Sequence, residues 1–581
     1  MEFFLLNESI KTFKYNNIRF KEIRKEYIDA DLHLIAAKND WIAFQIVLTD
    51  DLEYSVCVND DPCFSIEGDF DIYRVKVETE SKFETSQQLV DYIDADSGLM
   101  YADILLDYSY KHYKQSEVCT IWVEIKVPKD AAPGIYSGEI TIYKRKRFQK
   151  ETVAVKRNYK FQVFDYLCKD FSQNSFYLDL WQHNCNIARK TEVNLWSDEH
   201  FAIIEKYVKT LADIGQKTIS VIVSDAPWSS QYSYNVREYL SDLFEYSCIK
   251  VYRSESGEIQ CDFSNLEKLL HVYMSNGIDR EISLFGLLNI WVDEENGYGS
   301  VCKDYPDALR IRCYDTKSKE YFYLDEKRDI EAYVATLHEF FVKRNLIDKV
   351  RVMCDEPSEF EIYTKRIEVL KRNAPLFKYK VAVYKPEFLE KIDDSITDIV
   401  PILALYASNY EKLQNLQKDN PDKVFLYYIC CWPKYPNTFI ESPLIESRII
   451  PLVSFKLNNH GFLRWNYTVW PDKPREKLSF YAPNWFSGDT NFVYPSNNGS
   501  PLLSLRYKNL KRGIQEYQLL IDAPKEIQDK VTALIFKEKE IANYYNHKYE
   551  DIYANKGALY SIDYNDFIES KKMMISSEEQ K

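Results

Sequence analysis

Glycine is scarce in this chain, with 15 residues in 581. No Gly-rich loop of phosphate-cradling pattern can be found, so nucleotide cofactors have no support in the sequence. Histidine is rarer still, and its eight copies never fall in an HExxH pair. The twelve cysteines are scattered, Cys430 and Cys431 being neighbours, and none shows the CxxC spacing of a zinc or redox site. They read as reduced core or surface thiols, and neither metal nor cofactor is expected. Basic residues are outnumbered 75 to 90, giving a net charge of -15. Without a basic stripe interleaved with aromatics, a nucleic-acid partner is excluded. The amino terminus, Met1-Glu2-Phe3-Phe4-Leu5-Leu6-Asn7, carries an acid and a run of only four apolar residues. It reads as neither signal peptide nor membrane anchor, so a soluble, cytoplasmic protein is expected.

What the chain does have is ordinary globular material, 45% apolar and 28% charged. Its length suggests two or three domains. Residues 1–168 read as strands without helices: 41–48, 120–127, a stretch after the Pro133-Gly134 turn, and a final strand near 159–164. Short strands separated by turn chemistry predict a β-sandwich. Beyond it, apolar strand-length runs alternate with amphipathic helical stretches. Strands are predicted over 176–181, 218–224, 281–287, 349–354, 379–383, 399–405, 423–429 and 461–465. Helices fall between several of them, for instance over 198–214, 330–343 and 442–457. That rhythm, with about eight units, predicts a (β/α)8 TIM-type barrel over 169–500, a doubly wound open sheet being the alternative with similar alternation. A helical extension packed on the barrel, broken near Pro524 and ending in a loose tail, takes 501–581.

Four Asp-Glu pairs occur, and three have bland contexts. Asp198-Glu199 starts a helix behind Ser197, while Asp293-Glu294 and Asp325-Glu326 lie in polar, loop-like surroundings. Asp355-Glu356 differs. It directly follows the strand-like run Val350-Arg351-Val352-Met353-Cys354. Pro357 disfavours helical geometry at Glu356, which is expected to stay extended. Ser358 and Glu361 have capping-box spacing, and Phe360, Tyr363, Ile367 and Leu370 give the next helix an apolar face. The pair therefore sits at the carboxyl end of a strand, the catalytic rim of such barrels. A purely structural role competes with this one, because acids are favoured at helix amino termini anyway.

Aromatics point the same way. Trp181, Trp228, Trp291, Trp432 and Trp465 each fall at or just beyond a predicted strand end. One such ring is ordinary core packing. Five on one rim offer flat faces to the C–H surfaces of a sugar.

These pieces together resemble glycoside hydrolase family 123, the β-N-acetylgalactosaminidases. The resemblance runs through Val127-Pro128-Lys129-Asp130-Ala131-Ala132-Pro133-Gly134, Leu180-Trp181-Gln182-His183 and Ala226-Pro227-Trp228 to the Asp355-Glu356-Pro357 core. It continues in Tyr427-Tyr428-Ile429-Cys430, Pro436-Asn437, Gly461-Phe462-Leu463-Arg464-Trp465, Gly488-Asp489 and Arg512-Gly513. Cys354 departs from the serine common at that place, as does Ser496 after Tyr494-Pro495, where glycine is usual.

The resemblance implies a sandwich before a barrel and a retaining exo-β-N-acetylhexosaminidase working by substrate assistance. Asp355 would orient the 2-acetamido group, and Glu356 would be the general acid and base. Glu356 should then be the more shielded of the two. Tyr427 or Tyr428 would donate to the acetamido oxygen; adjacent strand residues face opposite ways, so one of them is structural. Trp465 and Trp485 would line the sugar, and Trp181, His183, Trp228 and Asn437 would contact hydroxyls or ring faces. The partner implied is an oligosaccharide or glycoconjugate. Two alternatives stay open: a glycosidase for a non-acetamido sugar with Asp293, Glu294 or Asp489 as nucleophile, and a carbohydrate-binding protein without turnover.

Overall fold

The computed structural model describes residues 1–581 apart from 29, 59–68, 82, 228–243, 289–301, 303–304, 306–308, 358, 391–394, 466, 472, 477, 479–484, 542–556 and 577–581. Trp228, Trp291, Asp293, Glu294 and Ser358 therefore lie outside the described residues.

The amino-terminal region forms two sheets. One has five strands in the spatial order Glu2–Asn7, Asp40–Thr49, Val118–Val127, Thr85–Asp94 and Met100–Leu105. The other has six, ordered Ile35–Lys38, Thr152–Leu167, Gly134–Arg145, Asp71–Thr79, Tyr54–Cys57 and Tyr110–Tyr113. Both contribute to one buried cluster: Phe44, Ile46, Ile121 and Val123 from the first meet Val75, Ile140, Ile142 and Phe161 from the second. The region is not free of helix. Ile18–Tyr27 is helical, its first turn closed by Asn17, whose side chain accepts from the Phe20 amide at 2.9 Å. Cys57 is disulfide-bonded, which departs from the expectation of thiols throughout.

Eight parallel strands follow, here labelled β1 (Tyr177–Leu180), β2 (Thr218–Ile222), β3 (Glu281–Phe285), β4 (Val350–Asp355), β5 (Lys378–Val383), β6 (Ile396–Pro401), β7 (Val424–Tyr428) and β8 (Gly461–Arg464). From β2 to β8 each pairs with its sequence neighbour, and β8 returns to pair with β1. The seam between β1 and β2 is sewn by a bridge from Leu178 to Gln216. There the Gln216 carboxamide accepts from the Leu180 amide at 2.9 Å and donates to the Leu180 carbonyl at 3.0 Å. The result is a nearly closed sheet that fits a TIM-type barrel. β6 ends at Pro401, short of the predicted 405, because the apolar run passes from strand into the helix Leu403–Ser408 without a change of composition.

The barrel interior is not purely apolar. Lys380 on β5 reaches Asp179 of β1 at 2.5 Å and Glu281 of β3 at 2.9 Å. Glu281 also accepts from the Tyr177 hydroxyl, and Arg351 pairs with Asp398 beside it. Charges this deep persist only when paired and hydrogen-bonded.

Helix Leu505–Asp522 joins the two regions. It packs along helix Leu444–Leu457, where a Cβ on Gly513 would come within 2.1 Å of the Arg448 carbonyl oxygen, so only glycine allows the contact. Its cations reach into the sheets. Arg506 donates to Asp103 at 3.0 Å, and Arg512 donates to Glu8 at 3.0 Å and to Asp40 at 2.8 Å. Lys508 reaches Glu124 at 2.7 Å. The helix ends before Pro524 and a new one, Lys525–Ile535, begins beyond it. The tail expected to be loose instead carries helix Tyr564–Ser576, whose Lys571 meets Asp40 at 2.7 Å. Among the described residues no helix is long and apolar enough to cross a membrane.

Removing one member of such a pair strands its partner. Arg506→Met should therefore lower unfolding stability by about 3–5 kcal/mol, read from the denaturant midpoint, and pairing it with Asp103→Asn should recover part of the loss.

Candidate active site

Apart from Arg351 near its start, β4 is apolar until its last residue, and it delivers Asp355, half-buried, to the carboxyl rim of the barrel. The chain then turns sharply. Glu356 has φ of +47°, in the left-handed region rather than the extended one expected from Pro357. For a non-glycine residue this costs about 1–2 kcal/mol. The turn is held by the Glu356 amide, which donates to the Ala382 carbonyl of β5 at 3.0 Å. Helix Phe360–Asn373 starts behind it with Glu359 in the capping position, making no side-chain cap bond, and buries Tyr363, Ile367 and Leu370. Strain of this kind at a strand end is characteristic of functional sites.

The turn directs Glu356 into a pocket lined by Trp181, Asp355, Ala382, Tyr428, Cys430, Cys431, Leu463, Trp465, Trp485 and Asp489. Glu356 is only 9% exposed. Burial pushes its carboxyl up from the usual carboxylate range, while a hydrogen bond donated by the Tyr428 hydroxyl pulls it partly back. The Trp465 and Trp485 rings lie 5.4 Å apart at 49°, forming a corner of the pocket, and Trp181 meets Phe285 edge-on at 5.0 Å.

Asp489, which lines the same pocket, is fully buried. It accepts from Arg464 at 2.8 Å and from the Trp465 indole nitrogen at 3.2 Å. Burial outweighs the guanidinium and pushes its carboxyl up to about 6. Arg464 also donates to the Ile429 carbonyl and to Asn437 Oδ1, each at 3.3 Å, tying β8 to the segment after β7.

Of the residues singled out in the sequence, Asp355, Glu356, Trp181, Tyr428, Trp465 and Trp485 are brought together. Three others are engaged elsewhere. Tyr427 turns outward from the barrel, its hydroxyl donating to the Ile450 carbonyl at 2.8 Å. Asn437 fastens its own loop, donating to the carbonyls of Cys430 at 2.9 Å and Pro433 at 2.6 Å. His183 is buried behind the pocket wall, with Nε2 at 3.1 Å from the Trp465 carbonyl and Nδ1 at 3.5 Å from Glu245. Trp432 is 46% exposed and absent from the pocket lining. The lining cysteines Cys430 and Cys431 were not singled out as site residues. Their place just past the end of β7 was the available signal, since that is where rim residues lie. Among the described residues no group of three or more His, Cys, Asp or Glu side chains is arranged to hold a metal ion.

The glycoside hydrolase 123 catalytic domain matches residues 181–521, and the glycoside hydrolase 123 N-terminal domain matches residues 76–144. Among solved structures, a family 123 glycoside hydrolase from Clostridium perfringens, described for glycolipid glycan hydrolysis, superposes with a TM-score of 0.70. At 17% identity the alignment covers 100% of this chain and 97% of that one. A putative glycoside hydrolase from Bacteroides vulgatus aligns with a TM-score of only 0.31 and 8% identity, over 78% of either chain. No curated protein matches. The catalytic-domain match covers more than half of the chain and includes the acid pair, and on that basis the chain belongs to glycoside hydrolase family 123 and is a glycoside hydrolase.

Proposed function

We propose that this hydrolase is a retaining, exo-acting β-N-acetylhexosaminidase, with β-linked N-acetylgalactosamine as its sugar and a glycoconjugate as its substrate. The observation that carries the reading is the contrast between two adjacent carboxylates. Glu356 is shielded and pushed toward its protonated form, while Asp355 beside it is half-buried at the same pocket. Opposed environments for neighbouring acids separate their roles.

In this mechanism the acetamido oxygen attacks the anomeric carbon as the bond to the leaving oxygen breaks. Glu356 gives its proton to that oxygen. Asp355 accepts a hydrogen bond from the acetamido N–H and stabilises the positive charge that develops on the cyclic oxazolinium intermediate. Water then attacks the anomeric carbon from the face the leaving group left, Glu356 takes its proton, and configuration is retained. Trp465, Trp485 and Trp181 supply walls for the ring and the acetamido methyl. The Tyr428 hydroxyl, which donates to Glu356, steadies the acid after it has given up its proton. Among the described residues Asp489 is the competing candidate for an enzyme nucleophile, but its Oδ1 is held by Arg464 and Trp465, which favours the acetamido route. The glycolipid glycans of the C. perfringens relative are the model for the glycoconjugate.

Glu356→Gln should lower kcat/KM on β-N-acetylgalactosaminides by about 10²–10⁴-fold, with the smallest loss on aryl leaving groups that need little protonation. Activity requires the protonated acid, so kcat/KM should fall as pH rises through the elevated Glu356 pKa, placing this limb above the ordinary range near 4.3. Tyr428→Phe removes the bond that pulls that pKa down and should move the limb to higher pH. A limb unmoved by both substitutions would assign it to another group.

Asp355→Asn should cost about 10²–10³-fold in kcat. An N-acetyl thiazoline, which mimics the cyclic intermediate, should bind the unaltered protein at least about 10²-fold more tightly than free N-acetylgalactosamine. Equal binding of the two, with turnover of an aryl glycoside lacking the acetamido group, would overturn the route.

A further inference from the structure

Cys430 and Cys431 are adjacent in sequence, half-buried, and both line the pocket that holds Asp355 and Glu356. Their sulfur atoms lie 3.7 Å apart, in mutual contact rather than turned to opposite sides of the chain. Neither thiol is needed by the hydrolytic chemistry. The segment that carries them is pinned at several points. The Cys430 carbonyl accepts from Asn437 at 2.9 Å, the Cys430 amide donates to the Trp432 carbonyl at 3.1 Å, and the Ile429 carbonyl accepts from Arg464 at 3.3 Å. Two residues upstream, Tyr428 holds Glu356.

We propose that Cys430 and Cys431 form a dithiol modification site in the wall of the sugar pocket, which a peroxide-class oxidant closes into a vicinal disulfide, reversibly suppressing glycosidase activity. The Cys431 sulfur beside it and burial push the Cys430 thiol well up, so in the first step the Cys431 thiolate attacks a peroxide oxygen. The S–O bond forms, the O–O bond breaks, and hydroxide leaves, giving a sulfenic acid. The neighbouring sulfur then attacks the sulfenyl sulfur, the S–S bond forms, and the oxygen departs as water. Two thiols have lost two electrons and two protons, and one peroxide has become two waters.

Closure must bring sulfurs now 3.7 Å apart to a bond length of about 2.05 Å. The ring so formed spans a single peptide unit, whose Cα atoms are about 3.8 Å apart, closer than ordinary disulfides prefer. Both residues must therefore shift, and the hydrogen bonds that fix the Cys430 peptide oppose that shift. The distortion passes along β7 to the Tyr428–Glu356 contact and changes the wall against which the sugar sits. Displacements of about 1 Å in a catalytic constellation cost about 10²-fold in rate. A thiol reductant reverses the closure, because a bond in a pocket wall remains open to small thiols.

The activity readout rests on the hexosaminidase reading, whereas the chemical readout does not. The full-length protein is treated with hydrogen peroxide at low molar excess, quenched and digested. Mass spectrometry then asks whether the peptide containing both cysteines has lost two hydrogens. In parallel, hydrolysis of an aryl β-N-acetylgalactosaminide is measured before oxidation, after it, and after dithiothreitol. The unaltered protein should show the internal disulfide and a loss of about 100-fold that dithiothreitol restores. Cys431→Ser and Cys430→Ser, each compared with its own reduced form, should show neither the disulfide nor a reversible loss of that size. A pair that stays reduced while activity falls, a disulfide without loss of activity, or an equal reversible loss in both variants would each overturn the proposal. A reduced protein inactive on the acetamido substrate yet forming the disulfide would instead count against the hexosaminidase reading. The oxidised and reduced forms would then be compared by affinity for free N-acetylgalactosamine, and unchanged affinity would overturn the modification site as well.

Discussion

The site depends on keeping one carboxyl group out of water. Glu356 owes its elevated pKa first to burial, and burial owes itself to a backbone turn of unusual hand. With an extended Glu356, the residue after a parallel strand would continue toward the rim and its side chain would be hydrated. The left-handed turn, pinned to β5 through Ala382, brings it back over the barrel mouth to meet Tyr428 from β7. Three strands thus fix one acid, and the local strain is offset by the sheet around it.

Below that acid the barrel is plugged by charge. Lys380, Asp179, Glu281, Arg351 and Asp398 occupy interior positions on five different strands. Such a core gains little stability over an apolar one, because desolvation consumes most of the Coulombic attraction. It does make strand register discriminating. A slip of one residue would turn each charged side chain outward and leave its partners buried and alone. Above the acid, the Arg464–Asp489 pair does comparable service for the pocket walls, orienting Trp465 and holding the segment after β7.

Much of this could be read from the chain before any coordinates. The Val350-Arg351-Val352-Met353-Cys354 run followed by two acids located β4 and the end that lines the pocket, because a strand-like run and two adjacent acids closing it are both visible in sequence. The period-two geometry of a strand required Tyr427 and Tyr428 to diverge, although it could not say which faced inward; that depends on β7 packing against Ile450 on one side and Glu356 on the other. The hand of the turn at Glu356 was hidden, since proline restricts its predecessor without choosing between the remaining conformations. Asn437 and His183 entered as sugar contacts only through the resemblance. In the fold they meet carbonyls of Cys430, Pro433 and Trp465, contacts that only the folded loops create. Helix Ile18–Tyr27 escaped notice for a similar reason: it buries only Phe20, so its apolar periodicity is faint.

The helix that follows β8 has one more consequence. Arg506, Lys508 and Arg512 belong to the catalytic half by position in the chain, yet their counter-ions Asp103, Glu124, Glu8 and Asp40 belong to the sheets. A barrel excised from its leading region would present these cations to solvent, on a surface shaped to be covered. The two halves are therefore not interchangeable modules. Replacing the leading region by one without acids at these four positions would leave three cations of the helix without their counter-charges.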